Sequence, residues 1–338
     1  MVVLALAAVL VVLFLRNVDL RSVAAQIVHA RLGWLALSLS TMFVNLAIRS
    51  LRWQYLLEPL GRVSFGNAFR ATAVGFAASS ILPARAGEVI RPYFLARHEN
   101  MTATGAFATI ILERVLDVFT VLVLLALFVF VFDPGIGAAN PTWWGYMKAT
   151  AAMAGAGAAL ALAVMFALAG DPKRLGRTLA QFERVKPTAF IGMVARIAEK
   201  FACGLGAVRR PGRLAVALAW SFPLWLSIAA GMWAVAEAFH LAVPFTGSFL
   251  IVALLVLGVA LPTPGAVGGF HAAFRYGATR FFGAPDDAAV GAAIVAHALS
   301  IGPALVLGLF FAAQAGLNLS GMKQMAGQAS PEPHGVKV

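Results

Sequence analysis

Leu82-Pro83-Ala84-Arg85-Ala86-Gly87-Glu88-Val89-Ile90-Arg91 lies between two apolar segments, and Glu113-Arg114 and Asp117 follow inside the next apolar stretch. The placement of this run decides the fold. The segment from Phe65 to Ile81 is short for a hydrocarbon core of about 30 Å, and Pro83 and Gly87 stop it. The expected chain enters the membrane, turns and leaves again. Broken backbone at that depth is tolerated only where protein or a water-filled cavity covers it, so Arg85, Glu88 and Arg91 are expected to line a cavity. The competing reading is a cytoplasmic loop whose arginines snorkel to headgroups.

Composition fixes the solvent. Of 338 residues, 61% are hydrophobic and 12% charged, with a mean hydropathy of +0.86, which excludes an ordinary soluble domain. With Cys203 as the single cysteine, an intrachain disulfide and a cysteine metal cluster are both excluded. The formal charge of +12 does not point to nucleic acid, because Lys and Arg sit between apolar segments, where they set orientation and meet anionic lipid. No Gly-x-x-x-x-Gly-Lys loop is present, so ATP is not the direct energy source. Neither a cofactor nor a metal is expected.

Residues 1–15 form a short retained first helix, about 22 Å long, whose true start could lie upstream of Met1. Asp19 to Arg31 suits an interfacial segment. Gly33 to Leu57 is the next span, with Trp53 and Tyr55 as interfacial anchors. Arg49 and Arg52, three residues apart, share one face; snorkelling and headgroup binding are both open to them. Thr104 to Phe132 is a long span in which Glu113 and Asp117 share a face and Arg114 can reach Asp117. These charges are either glue between helices or cavity lining.

Asp133 to Met147, without Lys or Arg, is expected outside, and Lys148 to Ala169 is a small-residue span. Asp171 to Arg213 carries ten basic residues opposite an apolar stripe, as an amphipathic helix on an anionic cytoplasmic leaflet does. Leu214 to Phe239 is the fifth span. Phe245 to Leu261 is then broken at Pro262-Thr263-Pro264-Gly265 and restarts through Phe282, as a second hairpin or a Pro-kinked span. Ala288 to Ala315 is the last span, interrupted at Gly302-Pro303, and 316–338 is a polar tail.

The expected fold is therefore an all-α polytopic membrane protein of about six spans and two re-entrant helical hairpins. Residues 1–315 form one domain of two inverted repeats, 1–132 and 145–315, with the binding site where the interrupted helices meet. Helix N–H groups near Gly268 favour phosphate. Arg85 and Arg91, together with Arg49, Arg52 or Arg275, supply planar forks for it.

Arg49-x-x-Arg52-Trp53, Leu82-Pro83-Ala84-Arg85-Ala86-Gly87-Glu88 with Arg91, Glu113-Arg114-x-x-Asp117, and Pro262-Thr263-Pro264-Gly265 with Gly268-Gly269-Phe270 resemble the flippase-like transmembrane region of lysylphosphatidylglycerol synthases and their stand-alone relatives. The resemblance covers roughly residues 1–315. It implies a bacterial or archaeal inner-membrane protein that moves a lipid between leaflets; the loop charges lead to the expectation that both termini are cytoplasmic. The matched Arg and Glu positions, with Pro264, Gly265, Gly268 and Gly269, are the implied site. Two departures stand out. His271 occupies a place where the family commonly has Glu, and no aminoacyl-transferase domain follows Ala315, so lysyl transfer is not implied.

The leading expectation is a non-enzymatic flippase or scramblase for an anionic phospholipid or polyprenyl-phosphate-linked lipid. Arg49, Arg52, Arg85 and Arg91 would hold phosphate, and Glu88, Glu113 and Asp117 would position them or carry a coupling proton. The alternatives are a membrane transferase using a polyprenyl-phosphate donor and a non-transporting partner of a lipid-modifying enzyme. The expected partners are anionic membrane lipids, with a second copy or a lipid-biosynthesis enzyme as protein partner.

Overall fold

The computed structural model describes residues 18–82, 85–99, 101–132, 211–260 and 263–317, together with position 14 and positions scattered between 144 and 163. Among the described residues the secondary structure is helical, without a strand. The chain is a helical membrane protein. The expected first helix, the loop at 133–147, the span at 148–169, the basic segment at 171–213 and the tail at 316–338 lie largely outside the described residues, as do Pro83, Ala84 and Leu261-Pro262.

Nine helices carry the architecture described below: α1 Leu20–Val28, α2 Leu32–Leu57, α3 Phe65–Ile81, α4 Gly87–His98, α5 Ala103–Phe130, α6 Pro211–Ala238, α7 Gly247–Ala260, α8 Gly269–Phe282 and α9 Asp286–Gln314. Local chemistry sets several of their ends. Ser64 and Thr102 accept from the backbone N–H groups of Asn67 and Gly105, which caps α3 and α5. At the far end of α3, Leu82 is extended (ψ 146°), as a residue before proline prefers.

Three helices, Leu32–Leu57, Gly212–Ala238 and Asp286–Gln314, are long and apolar enough to cross a membrane. At 28 residues α5 matches them in length, but it carries Glu113, Arg114 and Asp117. Two expectations need correction. Gly302-Pro303 does not interrupt the last helix, which runs unbroken from Asp286 to Gln314; a membrane helix tolerates the lost backbone bond because neighbouring groups re-satisfy it. Nor is Trp53 an interfacial anchor, because it is 0% exposed and donates from Nε1 to Thr109 Oγ1 at 2.9 Å.

The central pair is α2 against α6, and its contacts fix their relative direction. Arg52 reaches Ser221, Asn45 reaches Leu224 and Ser227, and Gly231 lies beside Thr41. Rising numbers on one helix meet falling numbers on the other, so the two run antiparallel. The remaining helices pack around this pair in matched fashion. Helix α3 lies on α4 and on α9, whereas α7 lies on α8 and on α5.

Both helix pairs are closed by glycines. A Cβ on Gly87 would lie 1.8 Å from the Gly75 carbonyl oxygen, and one on Gly269 would lie 2.1 Å from that of Gly258. Backbones that close exclude any side chain, as small residues at membrane helix contacts allow. The 3₁₀ turn Pro264–Ala266 ahead of α8 rests on α3, with Gly265 beside the Ser80 carbonyl. The ends of the two helix pairs therefore touch.

Candidate functional site

Five arginines and three carboxylates converge where α2, α4 and α5 meet, an excess of two positive charges. The innermost layer is an ion-pair network. Arg52 Nη1 donates to Asp117 Oδ1 at 2.7 Å and to Ser221 Oγ at 2.7 Å, and its Nη2 reaches Glu113 Oε1 at 3.3 Å. Arg91 Nη1 donates to Glu113 Oε2 at 2.7 Å, while Arg49 Nη1 reaches Asp117 Oδ2 at 3.4 Å. Trp225 Nε1 completes the shell of Asp117 at 3.1 Å. Buried carboxylates of this kind persist only when such donors satisfy them.

The spacing on each helix explains the convergence. Arg49 and Arg52 are i, i+3 on α2, and Glu113 and Asp117 are i, i+4 on α5, so each pair projects from one face. The Gly75–Gly87 contact brings α4 close enough to α3 for Arg91 to enter the network. Its guanidinium lies 3.8 Å from the Trp53 ring centroid, a desolvated cation–π contact worth up to about 2 kcal/mol.

An outer layer is looser and wetter. Arg85 Nη1 stands 3.7 Å from Glu88 Oε1, Arg114 Nε stands 4.0 Å from the same oxygen, and Arg114 Nη2 stands 3.6 Å from Asp117 Oδ2. These are ion pairs beyond hydrogen-bond length. Arg85 has φ +55°, a conformation that costs energy outside glycine and collects at functional sites.

Beside these two layers opens a cavity of about 600 Å³. Arg49, Arg85, Glu88, Arg91, Arg114 and Asp117 line its charged side. Gly265, Ala266 and Phe270 line it from the second helix pair. The side-chain nitrogens Arg49 Nε, Arg91 Nε, Arg91 Nη2 and Arg114 Nε are buried without a hydrogen-bond partner. The cavity's own wall carries four guanidinium groups against the carboxylates of Glu88 and Asp117, a balance that suits an anion.

The other residues expected from the sequence lie elsewhere. Arg52 and Glu113 are wholly buried behind the cavity wall and form its scaffold. Gly269 is spent on the α7–α8 contact, and Pro264 opens the adjoining turn. The Gly268 N–H, expected to meet phosphate, donates instead to His271 Nδ1 at 3.3 Å. His271 stacks at 4.4 Å on His297, whose Nε2 contacts the Gly265 carbonyl at 2.7 Å. Arg275 pairs with Asp286 and donates to the Phe14 carbonyl, so its donors are taken, and it does not line the cavity.

Ser221 and Trp225 were missed from the sequence. Their i, i+4 spacing on α6 puts a hydroxyl and an indole on one face, a signal that acquires meaning only once Asp117 is known to lie opposite. Among the described residues no cluster of three or more His, Cys, Asp or Glu could hold a metal ion.

A family model described as the lysylphosphatidylglycerol synthase transmembrane region matches residues 1–308. The UPF0104 membrane protein MJ1595 of Methanocaldococcus jannaschii is similar to part of the chain, 36% identical over 73 residues. That match spans 21% of this chain and 22% of the archaeal protein.

Proposed function

Because the chain belongs to the family of lysylphosphatidylglycerol synthase transmembrane regions, we propose that it moves a lipid with an anionic headgroup between leaflets, the phosphate resting on the arginines of the central cavity. The observation that carries this reading is the set of arginines on that cavity's charged side, Arg49, Arg85, Arg91 and Arg114, four against the two carboxylates Glu88 and Asp117. A phosphate meets their geometry with two oxygens at a time. The apolar lining, including Val118, Val121, Leu255 and Val259, suits the start of acyl or prenyl chains. No catalytic step is part of this reading.

The transport reading includes an inverted repeat. It is supported by the antiparallel α2–α6 pair, by the matched packing of α3 on α9 and α7 on α5, and by a glycine-closed helix pair in each half. In this reading α3–α4 and α7–α8 are re-entrant hairpins entering from opposite faces, with tips that meet at the cavity, the arrangement of many transporters. Arg62, Arg70, Arg97 and Arg213 gather where α3 starts and α4 ends. The positive-inside rule makes that face cytoplasmic.

The test is the full chain in liposomes carrying fluorescently labelled phosphatidylglycerol in the inner leaflet and a membrane-impermeant quencher outside. Wild-type protein, with an ion gradient supplied, exposes the label faster than empty liposomes do. Arg85→Ala and Arg114→Ala, which change exposed or half-buried cavity arginines, slow it at least tenfold. Exposure no faster than in empty liposomes sinks the transport reading.

A further inference from the structure

We propose a second anion site, on the rim of the helix bundle and outside the central cavity, that holds the phosphate of an anionic membrane lipid. It lies where the start of α3 meets the ends of α4 and α9. There a cavity of about 110 Å³ is lined by Asn67 and Arg70 of α3, Phe94 and His98 of α4, and Phe311 and Gln314 of α9. The site needs only that the chain lies in a membrane, so it stands apart from the transport reading.

Arg70 supplies the charge. Its guanidinium stands 5.9 Å from the centroid of the Phe311 ring, and among the described residues it has no hydrogen-bond or ion-pair partner. The neighbouring carboxylate is spent. Glu99 accepts from the Ser64 N–H at 3.2 Å and from Asn67 Nδ2 at 2.8 Å, and it does not line the cavity. His98 contacts the Phe94 carbonyl through Nδ1 at 2.8 Å, which leaves Nε2 unspent. The Gln314 amide, also without a partner among the described residues, brings two further donors. A guanidinium fork left open beside a neutral amide is an arrangement that takes two phosphate oxygens.

The volume decides how much of a ligand enters. A cavity this small takes a phosphate group and not the chains attached to it, so the rest of a bound lipid lies outside, on the neighbouring surface. That surface is aromatic. Phe65 and Phe69 lie 5.7 Å apart, Phe69 and Phe311 6.1 Å, and Phe310 and Phe311 5.5 Å, with Phe65 40% and Phe310 55% exposed. The row reaches the cavity at Phe311, so a phosphate on Arg70 places its own acyl chains along apolar rings. Free phosphate leaves those rings without a partner. Charge selects the headgroup, because among the described residues Arg62, Arg70, Arg97 and Arg213 share this end of the bundle with Glu58 and Glu99 alone, and Glu58 is paired with Arg213. A choline ammonium finds no carboxylate on the cavity wall, whereas basic residues at headgroup level attract anionic lipid.

The experiment locates lipid directly and measures no transport. Full-length protein in nanodiscs is irradiated with phosphatidylglycerol or phosphatidylcholine carrying a diazirine in the acyl chain, and the labelled peptides are mapped by mass spectrometry. Peptides covering residues 65–70 and 310–314 are expected to take about fivefold more label from the anionic lipid. Arg70→Gln, at an exposed position, lowers this to the phosphatidylcholine level, and Arg70→Lys, a point charge without the fork, falls between. Arg85→Ala, in the central cavity, leaves the labelling of these peptides unchanged, which separates the two sites. Equal labelling by the two lipids overturns the proposal, and so does an Arg70→Gln variant that keeps the wild-type preference. A preference abolished by excess sodium phosphate but not by sodium chloride of equal ionic strength overturns it in favour of free phosphate. Because no lipid movement is read, a protein that moves no lipid keeps this site, and loss of this site touches no part of the transport reading.

Discussion

At the level of single residues the cluster divides into scaffold and contact. Arg52 serves two carboxylates and Ser221 at once and is 0% exposed. Deleting one member of a buried pair strands its partners at a cost of about 3–5 kcal/mol. Arg52→Ala is therefore expected to lower the unfolding free energy by about that amount in an SDS titration followed by circular dichroism. Glu113→Gln belongs to the same class, because it removes the charge facing both Arg52 and Arg91. Arg85 is the contrast. Its side chain is 45% exposed and only ion-paired at 3.7 Å, so Arg85→Ala changes stability by less than about 0.5 kcal/mol while slowing lipid movement. Equal stability losses for Arg52→Ala and Arg85→Ala would refute the division. The charges are visible in the sequence as costly groups on common helix faces, and Arg114 reaches Asp117 at 3.6 Å as its i, i+3 spacing allows. It could not separate Arg52 from Arg49, which share one face of α2; the difference arises from Ser221 and Trp225 on a helix some 170 residues further along.

At the level of helices, the positions of the breaks were legible and their closure was not. Pro83 ends α3 through its effect on Leu82, and the interruption before α8 follows from the Pro and Gly residues that precede it. What lets each pair close is a glycine on each helix of the contact, and a glycine in an apolar run has no visible partner until the chain is folded. The glycines nevertheless make a sharp prediction. Gly87→Ala and Gly269→Ala place a methyl group 1.8 Å and 2.1 Å from backbone carbonyl oxygens, where no flexible side chain can yield. Each is expected to cost about 1–3 kcal/mol or more. Gly302→Ala, with nothing within 4 Å of its added Cβ, should be neutral or stabilising by up to about 1 kcal/mol, as alanine is in a helix. Thermal unfolding of the three variants in one detergent checks this, and a Gly302→Ala loss matching the other two would contradict it. The same reasoning explains why Pro303 was misread: a proline removes one backbone bond, and α9 keeps its course because packing on α3 and α8 along its length holds the remainder.

At the scale of the whole molecule, the proposed repeat pairs matched helices with unmatched chemistry. Asn45 donates to the carbonyl of Leu224, 179 residues away, across the antiparallel central pair. The same interval of 179 separates Leu82-Pro83 from Leu261-Pro262 in the sequence. Applied to Glu113, Arg114 and Asp117, it leads to Ala292, Ala293 and Ala296 on α9, all buried, and applied to Arg49 and Arg52 it leads to Ile228 and Gly231 on α6. One half therefore holds the charges while the other presents small and apolar groups at corresponding places; under the proposed function a headgroup would bind against the first half and the second half would open and close over it. The proposal requires the two helix pairs to face opposite sides of the bilayer, and Arg97 and Arg280, exposed in the last turns of α4 and α8, are placed to report it. With Cys203 replaced by alanine, Arg97→Cys and Arg280→Cys are labelled in intact cells by a membrane-impermeant maleimide. Only Arg280→Cys should react from outside, and Arg97→Cys should react only after the membrane is permeabilised. Labelling of both from one side would leave the arginine cluster without a second gate across from it, and a cavity open to a single face cannot pass a headgroup from one leaflet to the other.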